Sequence, residues 1–310
     1  MPADPRPVLI AGPTASGKSA LALALAERHR GCVINADALQ VYGCWRVLTA
    51  RPGDAELARV PHLLYGHVGC EVRYSVGAWL RDVAAALAEA RRRDLRPIVV
   101  GGTGLYLSAL TEGLADIPEV PPEVRARSEA LLGAGRLDAL IADLARNDPA
   151  TLARVDRNNP MRVQRAWEVL STTGRGLSEW HRTTRPPLVA PSTAARLVIE
   201  PENPILNANI EARFHLMVQQ GALDECRRFL AAGHILDAPS GRALGAAQLA
   251  GHLEGKLSFE AAVADSITVT RQFAKRQRTW FRNRMADWPR IDPASPSTKV
   301  SEIVNAFGLS

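Results

Sequence analysis

A chain of 310 residues with 46% hydrophobic residues can bury a sizeable core, as one large α/β domain or as a core with an insertion. It has no apolar run long enough to span a membrane and no secretory signal pattern at its start, so we expect a cytoplasmic protein without a membrane partner. The net charge of +6 resides in residues 271–284, because the rest of the chain has equal numbers of acidic and basic residues. Such a local excess favours a polyanionic partner. The cysteines at 32, 44, 70 and 226 are widely spaced, which predicts buried free thiols rather than a disulfide framework or a zinc site.

The first predicted strand, residues 8–11, leads directly into a glycine-bounded loop and then an Ala/Leu-rich helix that runs to about His29. The loop and the start of the helix comprise Gly12, Pro13, Thr14, Ala15, Ser16, Gly17, Lys18 and Ser19. Glycines let backbone N–H groups converge on phosphate oxygens, and the helix N-terminus adds its positive dipole end. Lys18 would reach the outer phosphate and the Ser19 hydroxyl would hold Mg²⁺. This loop predicts a di- or triphosphate ligand but does not say which group is transferred.

Two further predicted strands end in polar residues. The strand at 32–36 ends at Asp37, which could cap a helix, bind Mg²⁺ through water, or accept a proton from a nucleophile. A helix at 75–93 precedes the strand at 97–100, after which Thr103 could contact a phosphate or substrate oxygen, or cap the next helix. Strands alternating with helices predict a parallel sheet whose ligands lie at the strands' carboxyl ends. We therefore expect Asp37, Thr103 and the phosphate loop to share one crevice.

From about residue 113 the pattern becomes helical, which divides the chain into a core at 1–112, a helical insertion at 113–190 and a core completion at 191–310. The predicted helices of the insertion are 122–133, 136–146, 149–156 and 160–173. A returning strand at 196–199 is followed by long helices at 206–232, 243–254 and 258–285, and the tail after Pro289 carries no prediction. Taken alone, Arg162, Gln164 and Arg165 are typical of a solvated helix surface.

The last predicted helix has two distinct faces. Its cations Arg271, Lys275, Arg278 and Arg282 are spaced by four, three and four residues, which places them on one stripe. Roughly opposite lies an apolar seam of Phe259, Phe273 and Trp280, with Val263 and Thr270 close in angle. A solvated helix face normally mixes acidic residues with basic ones, so the acid-free stripe favours contact with a phosphate backbone.

Several ordered motifs together resemble the bacterial tRNA dimethylallyltransferases, the tRNA isopentenyltransferase family. From the N-terminus they are GPTASGKS at 12–19, NADALQVY at 35–42, VPHLL at 60–64, YSV at 74–76 and PIVVGGTGLYL at 97–107. The later ones are NNPMRVQRAWEVL at 158–170, IEARFHLMV at 210–218 and TRQFAKRQRTWFR at 270–282. The match extends from about residue 8 to 285, and it is the ordered series rather than the phosphate loop alone that makes it specific.

The resemblance implies a P-loop NTPase-like parallel sheet flanked by helices, with an all-helical, tRNA-facing insertion. It implies that the chain moves a dimethylallyl group from dimethylallyl diphosphate to N6 of the adenosine just 3′ of the anticodon. The expected cofactor is Mg²⁺, and the expected state is a monomer. Asp37 would be the general base, Thr103 would contact the reacting region, and Arg213 would join residues 12–19 in holding the diphosphate. The residues that would face the tRNA anticodon stem-loop are Asp37, Ala38, Leu39, Gln40, Thr103, Arg125, Met161, Arg162, Val163, Gln164, Arg165, Lys275, Arg276, Gln277, Arg278 and Arg282.

Four positions depart from the usual family pattern. Ala38 replaces a common Ser, Asn159 a usual Asp, Met161 a usual Gln, and Asn209 a common Arg. Ala38 and Met161 each remove a possible side-chain contact to RNA, which affects anticodon-loop recognition more than the reaction. The alternative activity is that of a P-loop, ATP-binding kinase that phosphorylates a small molecule or a nucleotide, which shares the loop, Mg²⁺ and an acid after the second strand. A third hypothesis, an RNA-binding NTPase, is disfavoured because the third strand does not end in Asp.

Overall fold

The computed structural model describes residues 6–292 and divides into two compact units. One unit comprises the described residues up to Thr111 and from Leu188 onward, and the other comprises Glu112–Pro187. The sequence places the insertion at 113–190, so its C-terminal boundary differs by three residues. Residues 1–5 and 293–310 of the predicted core segments lie outside the described residues.

The first unit is built on a six-stranded parallel sheet with the order β3-β2-β4-β1-β5-β6. The strands are β1 Val8–Ala11, β2 Gly31–Asn35, β3 His62–Leu63, β4 Arg96–Gly101, β5 Ala195–Ile199 and β6 Arg290–Ile291. Because β1 pairs with β4 and β4 pairs with β2, the carboxyl ends of three neighbouring strands lie side by side. This confirms the predicted α/β class with a parallel sheet flanked by helices.

The helices of this unit follow the strands in the βαβ manner before a final helical layer. They are α1 Lys18–Arg28, α2 Asp54–Leu57, α3 Val76–Arg92, α4 Gly104–Glu112, α10 Asn203–Gln219, α11 Ala222–Ala231, α12 Ala246–Leu253 and α13 Phe259–Arg284, with α5–α9 in the other unit. Ser75 caps α3 by accepting the Ala78 N–H at 3.1 Å. None of the helices within residues 6–292 has the length and apolar content needed to cross a membrane.

The central strands are fully buried because both faces of the sheet are covered. Leu9 and Val99 point to a core shared with Trp79 of α3, while Val8 and Ile98 point to a core shared with α1. Alternation along each strand therefore divides continuous apolar runs between two cores. A third core lies among α10–α13 and includes Trp45, which stacks on Phe229 at 4.3 Å.

The second unit is entirely helical apart from one isolated bridge, within its described residues. Its helices are α5 Pro122–Gly133, α6 Leu137–Asn147, α7 Pro149–Leu152, α8 Pro160–Thr173 and α9 Leu177–Trp180. Leu140, Leu144, Val163 and Trp167 form its small core. The Trp167 indole also donates to Asp143 Oδ2 at 2.7 Å, which satisfies its buried polar atom.

Two predicted helices and two edge strands of the structure differ from the sequence predictions. The helix expected at 206–232 is two helices, because Gly221 adopts a left-handed φ of 94° that ends one and precedes the next. The helix expected at 149–156 ends at Leu152. The edge strands β3 and β6 were missed, since each has only two residues and provides no periodicity.

The expectation of free thiols holds for only two cysteines. Cys44 and Cys70 form a disulfide with Cα atoms 6.1 Å apart. Their segments run side by side, as Gly43 donates to the Val68 carbonyl at 2.9 Å, and sequence spacing could not reveal this proximity. Cys32 and Cys226 are free and buried, and burial raises the pKa of each thiol to about 11.

Candidate active site and nucleic-acid interface

The phosphate loop turns tightly between β1 and α1. Gly17 has a left-handed φ of 86°, which suits glycine. A Cβ at Gly12 would lie 2.7 Å from Ser16 Oγ and 3.0 Å from the Ile199 carbonyl oxygen, so no larger residue fits there. Ser16 Oγ is buried and has no hydrogen-bond partner among the described residues. A buried hydroxyl of this kind, beside the N-terminus of α1, suits a bound phosphate oxygen.

Lys18 and Arg213 supply positive charge to this loop. Lys18 Nζ donates to the Pro13 carbonyl at 3.1 Å, and an Arg213 Nη2 proton is donated to Thr14 Oγ1. Burial lowers the pKa of Lys18 to about 8, with the Asp37 carboxylate opposing that shift and Arg213 reinforcing it. Burial likewise lowers the pKa of Arg213, again opposed by Asp37. The two cations and the carboxylate of Asp37 are thus close enough to interact electrostatically.

Helix α10 also contacts the phosphate loop one turn earlier. Asn209 Nδ2 donates to the Ala15 carbonyl at 3.3 Å. Asn209 is the position where the family pattern commonly has Arg, and here its amide reaches the loop backbone. Because Asn209 and Arg213 are four residues apart, they share one face of α10 and both lie against the loop.

Asp37 lies in a turn that the buried residue Asn35 organises. Asn35 Oδ1 accepts the Asp37 N–H at 2.9 Å, and its Nδ2 donates to the carbonyls of Asp37 and Leu64 at 3.0 and 2.9 Å. Asp37 Oδ1 accepts the Leu39 N–H at 3.0 Å. The helix-capping alternative for Asp37 is wrong, since the next helix begins only at Asp54. Sequence reasoning missed Asn35, although a polar residue ending a buried strand is a recognisable signal.

Thr103 connects the end of β4 to the Asp37 turn. Its Oγ1 accepts the Ala38 N–H at 2.9 Å, and its own N–H is donated to the Ala36 carbonyl at 3.2 Å. The hydroxyl therefore fixes the Asp37 turn. Ala38, Leu39 and Thr103 are half-buried beside Asp37. The backbone approach is so close that a Cβ at Gly101 would lie 2.0 Å from the Ala36 carbonyl oxygen.

Gln40 follows in the same turn, but its amide is engaged with the protein. Its Nε2 donates to the carbonyls of Thr49 and Ala50 at 2.8 and 3.0 Å. The side chain therefore orders the loop that leads away from Asp37, and only its remaining atoms are available to another molecule.

The predicted basic stripe of α13 is only partly unpaired. Lys275, Arg276 and Arg282 are exposed. Arg271, in contrast, pairs with Glu211 at 2.7 Å, and Arg278 pairs with Glu200 at 3.1 Å and is only 16% exposed. Both acids come from elements distant in sequence, so the helix sequence gave no sign of them. Arg271 and Arg278 are therefore paired with acids of other elements, which the helix sequence alone did not indicate, and contact of the stripe with RNA stays a prediction.

The apolar seam of α13 also differs from the prediction. The buried positions are Ala262, Val263, Ser266, Ile267, Thr270, Ala274, Gln277 and Phe281, while Phe259, Phe273 and Trp280 are half-buried at its edge. Small and polar residues form much of this buried face. Large apolar residues alone therefore do not indicate which face of α13 is buried. Gln277, predicted to face tRNA, is buried at 6% exposure.

Within the second unit, the predicted RNA-facing residues divide by exposure. Met161, Arg162 and Arg165 are exposed, with Met161 at 62%, and Arg125 is half-buried. Asn159 replaces the usual Asp but still caps α8, by accepting the Arg162 N–H at 3.3 Å.

Val163 and Gln164 do not present their side chains to solvent. Val163 lies in the core of the second unit, and Gln164 Nε2 donates to Ser128 Oγ at 2.8 Å and to Glu168 Oε1 at 3.0 Å. These two side chains face inward because a helix segment that faces a ligand also has an inward face, and RNA contact at this segment stays a prediction.

Comparison with known proteins gives one consistent family. The IPP transferase model matches residues 40–284, and the isopentenyl transferase model matches residues 6–64. A tRNA dimethylallyltransferase of Cereibacter sphaeroides strain KD131 is 57% identical over 94% of this chain and 90% of its own. That of Dinoroseobacter shibae is 55% identical over 94% of this chain and 96% of its own.

Two solved structures are similar in fold along almost the whole chain. The tRNA isopentenylpyrophosphate transferase of Bacillus halodurans has a TM-score of 0.70 at 30% sequence identity. The match covers 98% of this chain and 96% of the Bacillus halodurans chain. A eukaryotic dimethylallyltransferase acting on tRNA has a TM-score of 0.81 at 26% sequence identity. The match covers 97% of this chain and 79% of the eukaryotic chain.

Proposed function

The chain belongs to the IPP transferase family, and we propose that it acts on tRNA as its relatives named tRNA dimethylallyltransferase do. It transfers a dimethylallyl group from dimethylallyl diphosphate to N6 of the adenosine immediately 3′ of the anticodon, and releases diphosphate. The observation that carries this proposal is the convergence of the phosphate loop after β1, the Asp37 turn after β2 and Thr103 after β4, three consecutive strands of the sheet, with Arg213 of α10 bonded to the loop. This arrangement supports a diphosphate site at the loop and a proton-accepting role for the Asp37 carboxylate.

The reaction exchanges one bond for another. The C1–O bond of the allylic diphosphate breaks and its electron pair leaves with diphosphate, while the adenine N6 lone pair forms the new C–N bond. The proton lost from N6 passes to Asp37. Lys18, Arg213 and the backbone N–H groups of the loop stabilise the departing charge. Asp37 Oδ1 is held by the Leu39 N–H, which orients the carboxylate before the substrate arrives.

Mg²⁺ is proposed as the cofactor, and Ser19 is the residue of the loop that would hold it. Ser19 is exposed in the first turn of α1, where its hydroxyl can reach an ion bound to a phosphate. Residues 6–292 contain no group of three or more His, Cys, Asp or Glu side chains that could hold a metal. The ion would therefore bind through Ser19, diphosphate oxygens and water, and would supply charge neutralisation to the leaving group.

Cations in each of the two units are proposed to contact the RNA. Lys275, Arg276 and Arg282 would contact phosphates, which position the RNA. Arg125, Arg162 and Arg165 would do so on the second unit. The adenosine must leave its stack to reach Asp37, and single-stranded loops make that extrusion cheaper. A monomeric state and a cytoplasmic location remain predictions from the sequence.

A kinase sharing this loop is the second candidate, and no specific observation favours it. To separate the two, dimethylallyl diphosphate labelled in its prenyl group is incubated with tRNA from cells that lack the modification. We expect labelled N6-dimethylallyladenosine on nucleoside analysis. Absence of label in the RNA, with transfer of the γ-phosphate of ATP to a small acceptor, would instead support the kinase.

Charge reversal on α13 tests the RNA face. Replacing both Lys275 and Arg282 with Glu should weaken tRNA binding more than tenfold and reduce the salt slope of log K by about 1.4, since about two phosphate contacts are lost. Arg271→Gln is the matched control, because its cation already pairs with Glu211 and its loss should have a smaller effect. Filter binding across a series of salt concentrations measures both quantities. An unchanged salt slope in the double variant would exclude this helix face from the interface.

The lowered pKa of Lys18 predicts a pH dependence of donor use. The anionic donor binds the protonated amine, which the free enzyme loses as the pH rises through about 8. The ratio kcat/KM for dimethylallyl diphosphate should therefore be level below that pH and fall about tenfold per unit above it. In Lys18→Arg the guanidinium stays protonated, so the fall should move to higher pH. A profile that falls at the same pH in both enzymes would assign the titration to another group.

A further inference from the structure

The amide of Gln277 joins two of the loops that form the crevice. Its Oε1 accepts the Thr14 N–H at 2.9 Å, and its Nε2 donates to the Gly102 carbonyl at 2.8 Å. These partners lie 263 and 175 residues away in sequence. One end of the side chain thus holds the phosphate loop, and the other holds the turn that follows β4.

Both partners of Gln277 lie next to groups assigned to the reaction. Thr14 also contacts Arg213 through its hydroxyl, so the position of its backbone affects that cation. Gly102 precedes Thr103, whose hydroxyl fixes the Asp37 turn. A Cβ built on Gly102 would lie 2.2 Å from Gln277 Nε2 and 3.3 Å from Asp37 Oδ2, so the amide and the carboxylate approach the same point.

We propose that Gln277 is a positioning residue that sets the spacing between the diphosphate loop and the Asp37–Thr103 side of the crevice, rather than an RNA contact. This inference rests on the proposed function. The side chain faces inward, at 6% exposure, and its amide bonds to two backbone groups. Its neighbours Lys275 and Arg276 on the same helix are exposed and carry the charge that RNA binding needs.

Removal of the amide should affect the donor more than the RNA. Gln277→Met keeps the length and approximate volume of the side chain but leaves the Thr14 N–H and the Gly102 carbonyl without this partner. Two hydrogen bonds of ordinary strength correspond to an effect of about tenfold. We expect the KM for dimethylallyl diphosphate to rise by about that factor, while the KM for tRNA changes less than twofold.

A second variant displaces the amide without deleting it. Gly102→Ala introduces a methyl group that would overlap Gln277 Nε2, so it should reproduce the donor-selective change. This variant keeps the proposal testable if Gln277→Met fails to fold. Thr279→Ala is the matched control on the same helix, since Thr279 is exposed and bonds only the Lys275 carbonyl. It should leave both KM values unchanged.

Steady-state kinetics of the full chain with each substrate varied in turn measures the two KM values. A larger rise in the KM for tRNA than for the donor, or no change in either, would overturn the proposal. Calorimetry with inorganic diphosphate and Mg²⁺ gives an independent readout, in which Gln277→Met should bind about tenfold more weakly than the parent. If the parent binds diphosphate but transfers no prenyl group, the proposed function fails, whereas equal diphosphate affinity in parent and variant would contradict the role of Gln277.

Discussion

Replacing Asp37 with Ala is expected to lower kcat by about three orders of magnitude, while the Kd for tRNA changes less than threefold. The reason is that the N6 amine of adenine is a weak nucleophile, and its proton must leave as the C–N bond forms. Asp37 interacts electrostatically with Lys18 and Arg213, where the donor's diphosphate is proposed to bind. Single-turnover prenyl transfer with enzyme in excess measures the chemical step, and filter binding measures the affinity.

Asp37→Asn is the control that separates chemistry from structure. The Asn Oδ1 can still accept the Leu39 N–H, so the turn built on Asn35 should persist. The amide cannot take up a proton, and kcat should therefore fall almost as far as in Asp37→Ala. Near-normal turnover in either variant would show that another group, or water, removes the proton.

Replacing Lys18 with Ala is expected to lower kcat/KM for dimethylallyl diphosphate by about 10³-fold, again with tRNA affinity almost unchanged. Lys18 is proposed to stabilise the charge that develops on the departing diphosphate. Lys18 is half-buried as a residue, and its amine donates to the Pro13 carbonyl, within the loop itself. The rate of release of labelled diphosphate from the donor in the presence of tRNA reports this step.

Arg213→Ala provides the comparison for Lys18. Arg213 contacts Thr14 Oγ1 and lies at the same end of the crevice, so its loss should also reduce donor use, but by a smaller factor of about 10². If Lys18→Ala impaired tRNA binding and left donor kinetics intact, the loop would not be the diphosphate site.

Much of the first unit could be predicted from the sequence because its signals are local. The apolar runs at 8–11, 32–36 and 97–100 are too short for helices and lie next to glycine-rich turns, so strand is the consistent interpretation. The rule that parallel strands place ligands at their carboxyl ends then brings the phosphate loop, Asp37 and Thr103 together. The structure places these three segments on adjacent strands.

What could not be predicted depends on contacts between distant residues. Glu200 and Glu211 pair with Arg278 and Arg271, and this changes which cations of α13 are available to RNA. Glu225 accepts the backbone N–H groups of Arg46, Val47 and Leu48 at 2.6, 3.0 and 2.9 Å, and so holds the loop beyond Gln40. No spacing along the chain reveals such partners, because they depend on how the helices pack.

The inward face of α13 shows a second limit of sequence reasoning. A resemblance carries over segments as a whole, so it assigns Gln277 the same role as its cationic neighbours Lys275 and Arg276. Only the packed helix shows that Gln277 faces the opposite way and bonds to Thr14 and Gly102. The family motif indicated that the segment is functional, but the side-chain direction decides which function each position has.

In the proposed reaction, the phosphate loop holds a leaving group rather than a phosphoryl donor. A donor carrying one label in the prenyl group and another in the diphosphate tests it most directly. After incubation with tRNA that lacks the modification, the prenyl label should be found in the RNA, on N6 of the adenosine next to the anticodon, and the phosphate label in free diphosphate. Recovery of the phosphate label in the RNA or in any other acceptor, without prenyl transfer, would contradict the claim.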